Sequence, residues 1–355
     1  MSNRYRVVQW ATGNIGSRAL PAIIEHPKLE LVGLYAYNKD KIGQDAGAIA
    51  GTEMTGVIAT NDVDTLIGLD ADCVCYMPAH IDFELVQRML RAGRNVVTTC
   101  DVLTGTNLPP GLAESMDAAA RSGGVTFMGT GSEPGFMNVL CGFLTGMCRR
   151  VESVSLSETL DCNGYPVVQA WEGMGFGVPA VESKVSIPPS PELPGLAYFD
   201  ALDLVAGMLE IQLERKEAYL ERAAATRDLD LGWMQFPRGS VAGQRRVYRG
   251  FAHDRMVVEL SQCWTMSYDA LEPQWSEPEG FHIAIEGEPR VDATIHFEPS
   301  SKPGFSKETN VMGVLLLGTA MAAVNAIPSV CSAPSGFTTP AALPISGALF
   351  SVVGP

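Results

Sequence analysis

The stretch VVQWATGNIGSRAL, residues 7–20, decides the fold of the first part of the chain. It reads as a short apolar strand, a tight turn over residues 11–16, and the start of a helix. This order is the context that a dinucleotide-binding fingerprint requires. Small residues are needed where the turn is tight, where the backbone approaches a pyrophosphate, and where the helix packs on the strand. Ala11, Gly13 and Gly16 hold these three positions.

We therefore predict that this turn binds a dinucleotide, and an ordinary turn between a strand and a helix is the alternative. Free N–H groups at the start of the helix would meet the negative phosphates. The residues assigned to the cofactor here are Ala11, Thr12, Gly13, Asn14, Ile15 and Gly16.

Composition narrows the class of protein. The 355 residues are 46% hydrophobic and 18% charged, which suits a folded chain of two ordinary domains. The formal net charge of -15 argues against nucleic acid or an anionic membrane as the main partner, because both recruit basic patches. No apolar run precedes the first strand, so we expect no secretory signal and a cytoplasmic protein. The eight cysteines lack the spacing of zinc sites, and no metal is predicted.

Strand and helix patterns alternate through the first third of the chain. Further apolar strands are predicted at 29–37, 55–60, 71–78, 95–100 and 125–130, with helices at 82–93 and 110–124. Alternation at this spacing indicates a parallel sheet covered by helices on both faces. The predicted fold class is therefore α/β, with a doubly wound Rossmann domain over residues 1–135.

The pattern changes after residue 135. Polar and apolar residues alternate over 151–160, as in an antiparallel sheet with one covered face. A long amphipathic helix is predicted from Asp200 to about Arg227, with hairpin-like strands after it. We therefore assign residues 136–305 to an α+β domain with a mainly antiparallel sheet. The proline-rich stretch 187–196 is interpreted as a linker or as a loop over a site.

A charge-free segment, VMGVLLLGTAMAAVNAI, occupies residues 311–327. It is short for a membrane span and rich in Gly and Ala, so a fully buried helix is preferred and no membrane contact is expected. We predict that the C-terminal segment 306–355 returns to the Rossmann domain and packs on it.

The end of the second strand bears on the choice of cofactor. In an NAD site an acidic residue at this place binds the ribose 2′-OH. Asn38, Lys39 and Lys41 are neutral or basic instead, and they favour a 2′-phosphate through charge-assisted hydrogen bonds. NADP(H) is therefore the preferred cofactor and NAD(H) the alternative, unless the two lysines are only solvated loop charges.

Six stretches, in order along the chain, carry a resemblance to a known family. They are WATGNIG at 10–16, CVCYMPAH at 73–80, NVVTTCDVL at 95–103, GTGSEPGF at 129–136, MGFG at 174–177 and TAMAAVNAIP at 319–328. Together they resemble the dihydrodipicolinate-reductase-related proteins, above all 2,4-diaminopentanoate dehydrogenase and the amine dehydrogenases. The resemblance implies a Rossmann domain and a second domain that forms a homodimer and closes over the nicotinamide. It also implies NAD(P)-dependent oxidation of an amine, or the reverse reaction of a carbonyl compound with ammonia.

The resemblance further implies that a carboxylate near the end of the fifth strand holds the amine or ammonia. A cationic nitrogen in a dry pocket requires such an anionic partner. The family usually shows TCEEL where this chain has TCDVL, so Asp101 holds the first acidic place and Val102 the second. Glu133 stands where relatives tend to have Asn. We predict that Asp101 or Glu133 is the catalytic carboxylate; the alternatives are a turn or cap role for Asp101 and a solvated charge for Glu133.

The remaining predicted site residues border the cofactor or the substrate. Further cofactor contacts are assigned to Met77, Pro78, Ala79, Cys100 and Asn325. An apolar substrate pocket is assigned to Phe136, Trp171, Met174 and Phe176, although aromatic residues at such spacing are more often core. Asn325 and Pro328 are expected at a helix cap near the cofactor, with simple helix termination by Pro328 as the alternative. His80 is either a proton donor or a structural residue beside Asp82.

Two other functions stay open at this point. One is a reductase of aldehydes or ketones that uses NADPH on the same scaffold, and the other is a protein that binds NADPH without turnover. Dihydrodipicolinate reductase itself is disfavoured, because that enzyme carries adjacent histidines and the five histidines of this chain include no adjacent pair.

Overall fold

The computed structural model of the protein describes residues 4–100, 102–180, 184–187, 196–275, 277–302, 308–344 and 347–348. They form two compact units. The first unit comprises Met1–Val139, Gly195–Leu204 and Leu316–Pro355, and the second comprises Leu140–Pro194 and Val205–Leu315. The first unit is therefore assembled from three separate parts of the chain.

The strands are numbered along the chain. They are β1 Tyr5–Trp10, β2 Leu29–Tyr35, β3 Ala59–Thr60, β4 Cys73–Tyr76, β5 Asn95–Thr98, β6 Thr126–Gly129, β7 Arg150–Asp161, β8 Lys184–Ile187, β9 Arg215–Ala225, β10 Leu229–Asp230, β11 Gln235–Phe236, β12 Val241–Ala252, β13 Arg255–Thr265, β14 Leu271–Glu272, β15 Gly280–Glu288, β16 Val291–Ile295 and β17 Gly336–Thr338.

The α-helices are numbered in the same way. They are α1 Gly16–Glu25, α2 Ala46–Ala50, α3 Val63–Gly68, α4 Phe83–Arg91, α5 Leu112–Gly123, α6 Met137–Leu144, α7 Val168–Gly173, α8 Leu196–Met208 and α9 Val311–Cys331.

The first unit is built on a seven-stranded sheet in the order β17-β6-β5-β4-β1-β2-β3. All of its paired strands run parallel. Parallel neighbours need crossover connections, which place helices on the faces of the sheet. Every residue of β4 and β6 is accordingly buried. This arrangement is the predicted doubly wound Rossmann fold.

Within the described residues of the first unit, apolar side chains gather in two cores. One joins Leu20 and Ile23 of α1 to Ala320, Val324 and Ile327 of α9. The other gathers side chains of α4 and α5 around β4 and β5. The prediction that the C-terminal helix packs back on the Rossmann domain is thereby confirmed.

Helix α9 differs from its prediction in burial and in length. Within the described residues it is the one helix that is long and apolar enough to cross a membrane, by length and composition. About a third of its most apolar window (33%) is buried, so the expected full burial is not reached. The helix continues through Pro328 to Cys331. The expected cap at Asn325 and Pro328 is therefore wrong, because proline within this helix does not end it.

The second unit is built on an eight-stranded sheet in the order β14-β9-β12-β13-β7-β15-β16, with β8 paired to β9. The strands β7 and β13 run parallel, and the other neighbours run antiparallel. Along β7 the buried residues Val154, Leu156 and Glu158 alternate with half-buried serines. The mainly antiparallel α+β domain was predicted correctly.

The predicted helix from Asp200 to about Arg227 is wrong over its second half. Helix α8 ends at Met208, and Arg215–Ala225 is strand β9. The sequence RKEAYLERAAA contains good helix formers, but β9 pairs with β12 over ten residues and buries Ala218 and Leu220. Pairing in the sheet therefore outweighs a weak local propensity.

Two other predictions concern the strand at 55–60 and the proline-rich stretch 187–196. The predicted strand at 55–60 is reduced to Ala59–Thr60. The stretch 187–196 lies outside the described residues, apart from its two ends.

Candidate active site

The turn after β1 has the backbone of a dinucleotide fingerprint. Ala11 adopts a φ of 79°, in the left-handed region that glycine usually occupies. A Cβ at Gly16 would lie 2.2 Å from the carbonyl oxygen of Ala11, so only glycine lets α1 begin this close to β1. A Cβ at Gly13 would meet nothing within 4 Å, so the backbone at Gly13 is open to the approach of a ligand.

One side-chain and one backbone hydrogen bond stabilise the strained conformation of Ala11. The buried Gln9 donates from Nε2 to the carbonyl oxygen of Ala11 at 3.0 Å. The N–H of Ala11 donates to the carbonyl oxygen of Tyr35 at 3.1 Å. A non-glycine residue in this region costs on the order of 1 kcal/mol or more. The two hydrogen bonds offset part of that cost and fix the turn.

The loops after β1 and β4 lie at the switch point of the sheet. Strand β1 stands between β2 and β4, so the strand order reverses here, and ligands of doubly wound sheets bind at this crevice. The N–H of Met77 donates to the carbonyl oxygen of Trp10 at 3.0 Å. The thiol of Cys100 lies 3.3 Å from the carbonyl oxygen of Pro78 and links the loops after β4 and β5. Ala79, one residue further on, is exposed.

The residues after β2 lie against the fingerprint turn. Lys41 Nζ donates to the carbonyl oxygen and to Oγ1 of Thr12, at 2.9 and 3.2 Å. Asn38 Oδ1 accepts from the N–H of Asp40 at 2.9 Å and begins a short 3-10 turn over Lys39–Lys41. The structure therefore brings Lys41 together with the turn that the sequence assigned to the pyrophosphate.

Sequence analysis missed one further cation at this place. Arg18, in the first turn of α1, donates from its guanidinium to the carbonyl oxygen of Asn14 at 2.6 Å. Its position two residues after the last fingerprint glycine was the available signal. The open backbone at Gly13, the close packing at Gly16 and these cations fit a nicotinamide dinucleotide with its anionic phosphates.

The loop after β5 carries the first candidate carboxylate. Asp101 itself lies outside the described residues. Val102, which holds the second acidic place of the family pattern, is 1% exposed and belongs to the apolar core around β4 and β5. A Cβ at Gly129 would lie 1.6 Å from the carbonyl oxygen of Val102, so the backbones of the loop and of β6 touch. The second acidic place has thus become part of the core.

The loop after β6 carries the second candidate carboxylate. Glu133 is half-buried, precedes a cis proline, and accepts from Asn138 Nδ2 at 3.4 Å through Oε1. The fully buried Asn138 also accepts from the N–H of Gly135 at 2.6 Å. Ser132 and Thr319 of α9 share a hydrogen bond of 2.8 Å. The loop that presents Glu133 is therefore braced on both sides, and Asn138 is a contact that sequence analysis missed.

The predicted pocket residues fall into two groups. Phe136 belongs to the first unit and is 42% exposed. Trp171 and Phe176 are buried in the second unit, with ring centroids 5.2 Å apart, and the carbonyl oxygen of Met174 accepts from Gln244 Nε2 at 2.7 Å. Phe176 also borders a cavity of about 770 Å³ within that unit. Their assignment to a substrate pocket stays a prediction.

Two other predicted residues have clear positions. Asn325 is a half-buried residue inside α9. His80 is exposed, and the neighbouring Asp82 caps α4 by accepting from the N–H of Leu85 at 2.9 Å. Among the residues with described coordinates, no group of three or more His, Cys, Asp and Glu is arranged to hold a metal ion.

A buried carboxyl group in the second unit was also missed. Glu158 on β7 is 5% exposed, and its Oε2 accepts from Trp264 Nε1 at 3.0 Å and from Gln262 Nε2 at 3.2 Å. Burial raises the pKa of Glu158 to about 7, against the lowering effect of these two hydrogen bonds. The group therefore titrates near neutral pH.

A dinucleotide fingerprint at the switch point of a doubly wound sheet, with acidic loops at the same edge, defines an NAD(P)-dependent oxidoreductase. Residues 136–354 match the family model of the 2,4-diaminopentanoate dehydrogenase C-terminal domain. The chain belongs to this family.

Named relatives agree with this assignment. The chain is 27% identical to an amine dehydrogenase of Streptomyces virginiae over 304 residues, which cover 81% of this chain and 84% of the relative. It is 21% identical to 2,4-diaminopentanoate dehydrogenase of Acetoanaerobium sticklandii, with 98% and 95% of the two chains covered. The solved amine dehydrogenase of Mycobacterium smegmatis shares the fold, with a TM-score of 0.75, 20% identity and 97% of each chain covered.

Proposed function

We propose that the protein is an amine dehydrogenase that prefers NADP(H). It oxidises a primary amine to a carbonyl compound and ammonia, or runs the reverse reductive amination. The observation that carries the proposal is the placement of two acidic loops, after β5 and β6, at the same sheet edge as the fingerprint turn. The amine dehydrogenase of Streptomyces virginiae and the family match support the same chemistry.

The preference for NADP(H) rests on charge. Lys39 and Lys41 follow β2, where an NAD enzyme places an acid for the ribose 2′-OH. Lys41 donates a hydrogen bond to Thr12, and Arg18 donates one to Asn14. Positive charge therefore lies on two sides of the turn. A 2′-phosphate carries extra negative charge, and charge-assisted hydrogen bonds to these groups favour it over a hydroxyl. NADPH is therefore expected to bind at least tenfold more tightly than NADH.

A nicotinamide dinucleotide held at the fingerprint turn, between Lys41 and Arg18, would supply or accept the hydride. In the reductive direction, ammonia adds to the carbonyl carbon, water leaves, and the resulting iminium carbon receives the hydride, which yields the amine. The chain must hold a positive nitrogen next to that carbon, and an ionised carboxylate does this in a site with little water. The same carboxylate can take the proton that ammonium loses before it adds.

Asp101 or Glu133 supplies this carboxylate. Asp101 is the residue of the family pattern, and Glu133 stands on the next loop of the same edge. The bracing of Glu133 by Asn138 supports a fixed carboxylate on that loop. The test is the pair Asp101→Asn and Glu133→Gln, of which the one that removes the amine carboxylate raises the KM for ammonium at least tenfold and leaves the NADPH Kd unchanged.

The assembly and location of the protein are part of the proposal. It acts as a cytoplasmic homodimer on small molecules. Light scattering coupled to gel filtration measures the mass directly: about twice the 38.0 kDa of one chain is expected, and a single-chain mass contradicts the dimer.

The deciding experiment measures NADPH oxidation against a panel of aldehydes and ketones, each with and without ammonium. Turnover that needs ammonium is expected. Turnover without ammonium would make the protein a carbonyl reductase, in keeping with the loss of an acid at Val102. NADPH binding without any turnover would make it a non-catalytic binding protein.

A further inference from the structure

Tyr37 is an exposed aromatic residue next to the cations that we assign to the cofactor. It follows the end of β2 by two residues and is 57% exposed. Asn38, directly after it, begins the 3-10 turn that contains Lys39 and Lys41. Single exposed apolar residues are common on soluble proteins and need no function. The contacts of the Tyr37 ring therefore decide whether it has a role.

An aromatic stack holds the ring of Tyr37 in place. Tyr37 meets Tyr35 edge to face, with ring centroids 4.8 Å apart and ring planes at 72°. Tyr35 in turn stacks on Trp10 at a centroid distance of 4.2 Å, with an angle of 4° between the planes. Trp10 is 1% exposed and belongs to the apolar core around β4 and β5. The exposed ring is therefore anchored to the core, so a ligand that stacks on it immobilises little that is not already fixed.

The stack also lies beside the loop after β4. Trp10 contacts Tyr76, the last residue of β4, at a centroid distance of 6.1 Å. Burial raises the pKa of Tyr76, and the nearby hydroxyl of Tyr37 raises it further. The N–H of Asp82, at the start of α4, donates to the hydroxyl of Tyr76 at 3.2 Å. Tyr37 therefore lies near the loop after β4 as well as the residues after β2, at the switch point of the sheet.

The chemistry of the cofactor indicates which part of it meets this ring. In NADP(H) the 2′-phosphate and the adenine base are attached to neighbouring carbons of one ribose. Cations that bind the 2′-phosphate therefore bring the base close to their own loop. Lys39 is two residues from Tyr37, and Lys41 donates to Thr12 of the fingerprint turn. Every base has a π-face, which stacks on an aromatic side chain without any hydrogen bond to the edge of the base.

We propose that Tyr37 holds the adenine base of NADP(H) by stacking. The inference rests on the cofactor site of the proposed function, and it adds a contact that the two lysines do not supply. Lys39 and Lys41 distinguish NADP(H) from NAD(H) through the 2′-phosphate. Tyr37 recognises the base that both cofactors share, so it contributes affinity for either dinucleotide without a preference between them.

The test measures the Kd of NADPH and of NADH, through nucleotide fluorescence, for three variants of the full-length protein. Tyr37→Ala removes the ring and Tyr37→Phe keeps a ring. Lys41→Ala is the matched comparison, because it removes a charge from the same segment.

The three variants have different expected results. For Tyr37→Ala both Kd values should rise about tenfold, as is usual when one base loses its aromatic partner. For Tyr37→Phe both should stay within about threefold of wild type, because the stacking ring remains. For Lys41→Ala the Kd of NADPH should rise about tenfold and that of NADH much less, because only NADPH has the 2′-phosphate. The ratio of the two Kd values therefore changes in Lys41→Ala and stays constant in Tyr37→Ala.

A fluorescent variant locates the base directly. Tyr37→Trp places an indole where the phenol stood, and a base stacked on an indole quenches its emission. The probe is adenosine 2′,5′-bisphosphate, which carries the base and the 2′-phosphate but no nicotinamide. It should quench the emission that Tyr37→Trp adds to that of the wild type. This measurement also tests the role if Tyr37→Ala does not fold.

Unchanged Kd values in Tyr37→Ala, or emission in Tyr37→Trp that does not respond to the bisphosphate, would overturn the role of Tyr37. A rise confined to NADPH would overturn it too, because Tyr37 would then act through the lysines and not through the base. Wild-type protein that binds neither dinucleotide overturns the proposed function and this inference together. Binding of both without turnover of any amine would overturn the amine chemistry alone and leave the role of Tyr37 intact.

Discussion

Asp200 in the first unit and Glu158 in the second are both carboxyl groups that the fold buries almost completely, at 2% and 5% exposure. Asp200 accepts five hydrogen bonds from one loop. Glu158 has two described donors, both side chains and both on one oxygen, and its pKa is raised to about 7. The difference lies in the backbone around each group.

Backbone N–H groups of a loop can donate to a buried side chain, whereas those of a central strand donate to the neighbouring strands of the sheet. Strand β7 pairs with β13 on one side and β15 on the other, so the carboxyl group of Glu158 depends on side chains that happen to reach it. A buried acid next to a loop can therefore be fully hydrogen-bonded and shape that loop, while a buried acid on a central strand remains costly to ionise.

The largest expected effect on the free energy of unfolding comes from replacing Asp200. Asp200→Asn should lower the free energy of unfolding by about 3 kcal/mol at pH 7, because it leaves buried N–H groups without an acceptor. Urea unfolding of the wild type and the variant measures the change. A loss below about 1 kcal/mol would show that the loop relaxes to other partners, and the contrast between the two acids would then disappear.

The next effect has the opposite sign. Glu158→Gln should stabilise the protein by about 2 kcal/mol at pH 8, since the amide keeps an acceptor for Trp264 and carries no charge into the interior. The pKa of Glu158 is about 7 in the folded state, against an ordinary value of 4.5. The folded state therefore binds the extra proton between these values, so wild-type stability falls as pH rises from about 4.5 to 7 and the loss stays constant above that.

The measurement for Glu158→Gln is the difference in unfolding free energy between variant and wild type at pH 5, 6, 7 and 8. The difference should grow towards pH 7 and then level off. A difference that does not change with pH would mean that Glu158 is as well solvated as an ordinary carboxylate.

The fingerprint turn was predicted from the sequence, whereas the two buried acids were not. The Rossmann domain was predicted because Ala11, Gly13 and Gly16 are close in sequence and each meets a local backbone requirement. The partners of Asp200 lie 93 to 97 residues away, and those of Glu158 lie 104 and 106 residues away. No local pattern marks such contacts, so both acids were missed.

The same limit explains the error at Arg215–Ala225. Its residues favour a helix locally, and pairing with β12, at partners 17 to 36 residues further along the chain, makes it a strand. In the site, the sequence predicted the sheet edge and the two acidic loops, but not the side chains that brace them. Asn138 and Asp200 act through tertiary contacts, and their residue types are common in turns and helices without any such function.

The smallest expected effect tests the hydrogen bonds of Glu158 one at a time. Trp264→Phe removes the Nε1–H donor and keeps an aromatic ring, which also stacks edge-on against Trp171 at 6.0 Å. The bond is stronger to an ionised than to a protonated carboxyl. The variant should therefore lose about 1 kcal/mol more at pH 8 than at pH 5, beyond a packing loss that is equal at both values. In the Glu158→Gln background the loss should be the same at both pH values, because the amide does not titrate. If the loss in unfolding free energy still depends on pH in the Glu158→Gln background, Trp264 acts on another titrating group. The pKa of Glu158 then does not depend on the few side-chain donors that reach this central strand.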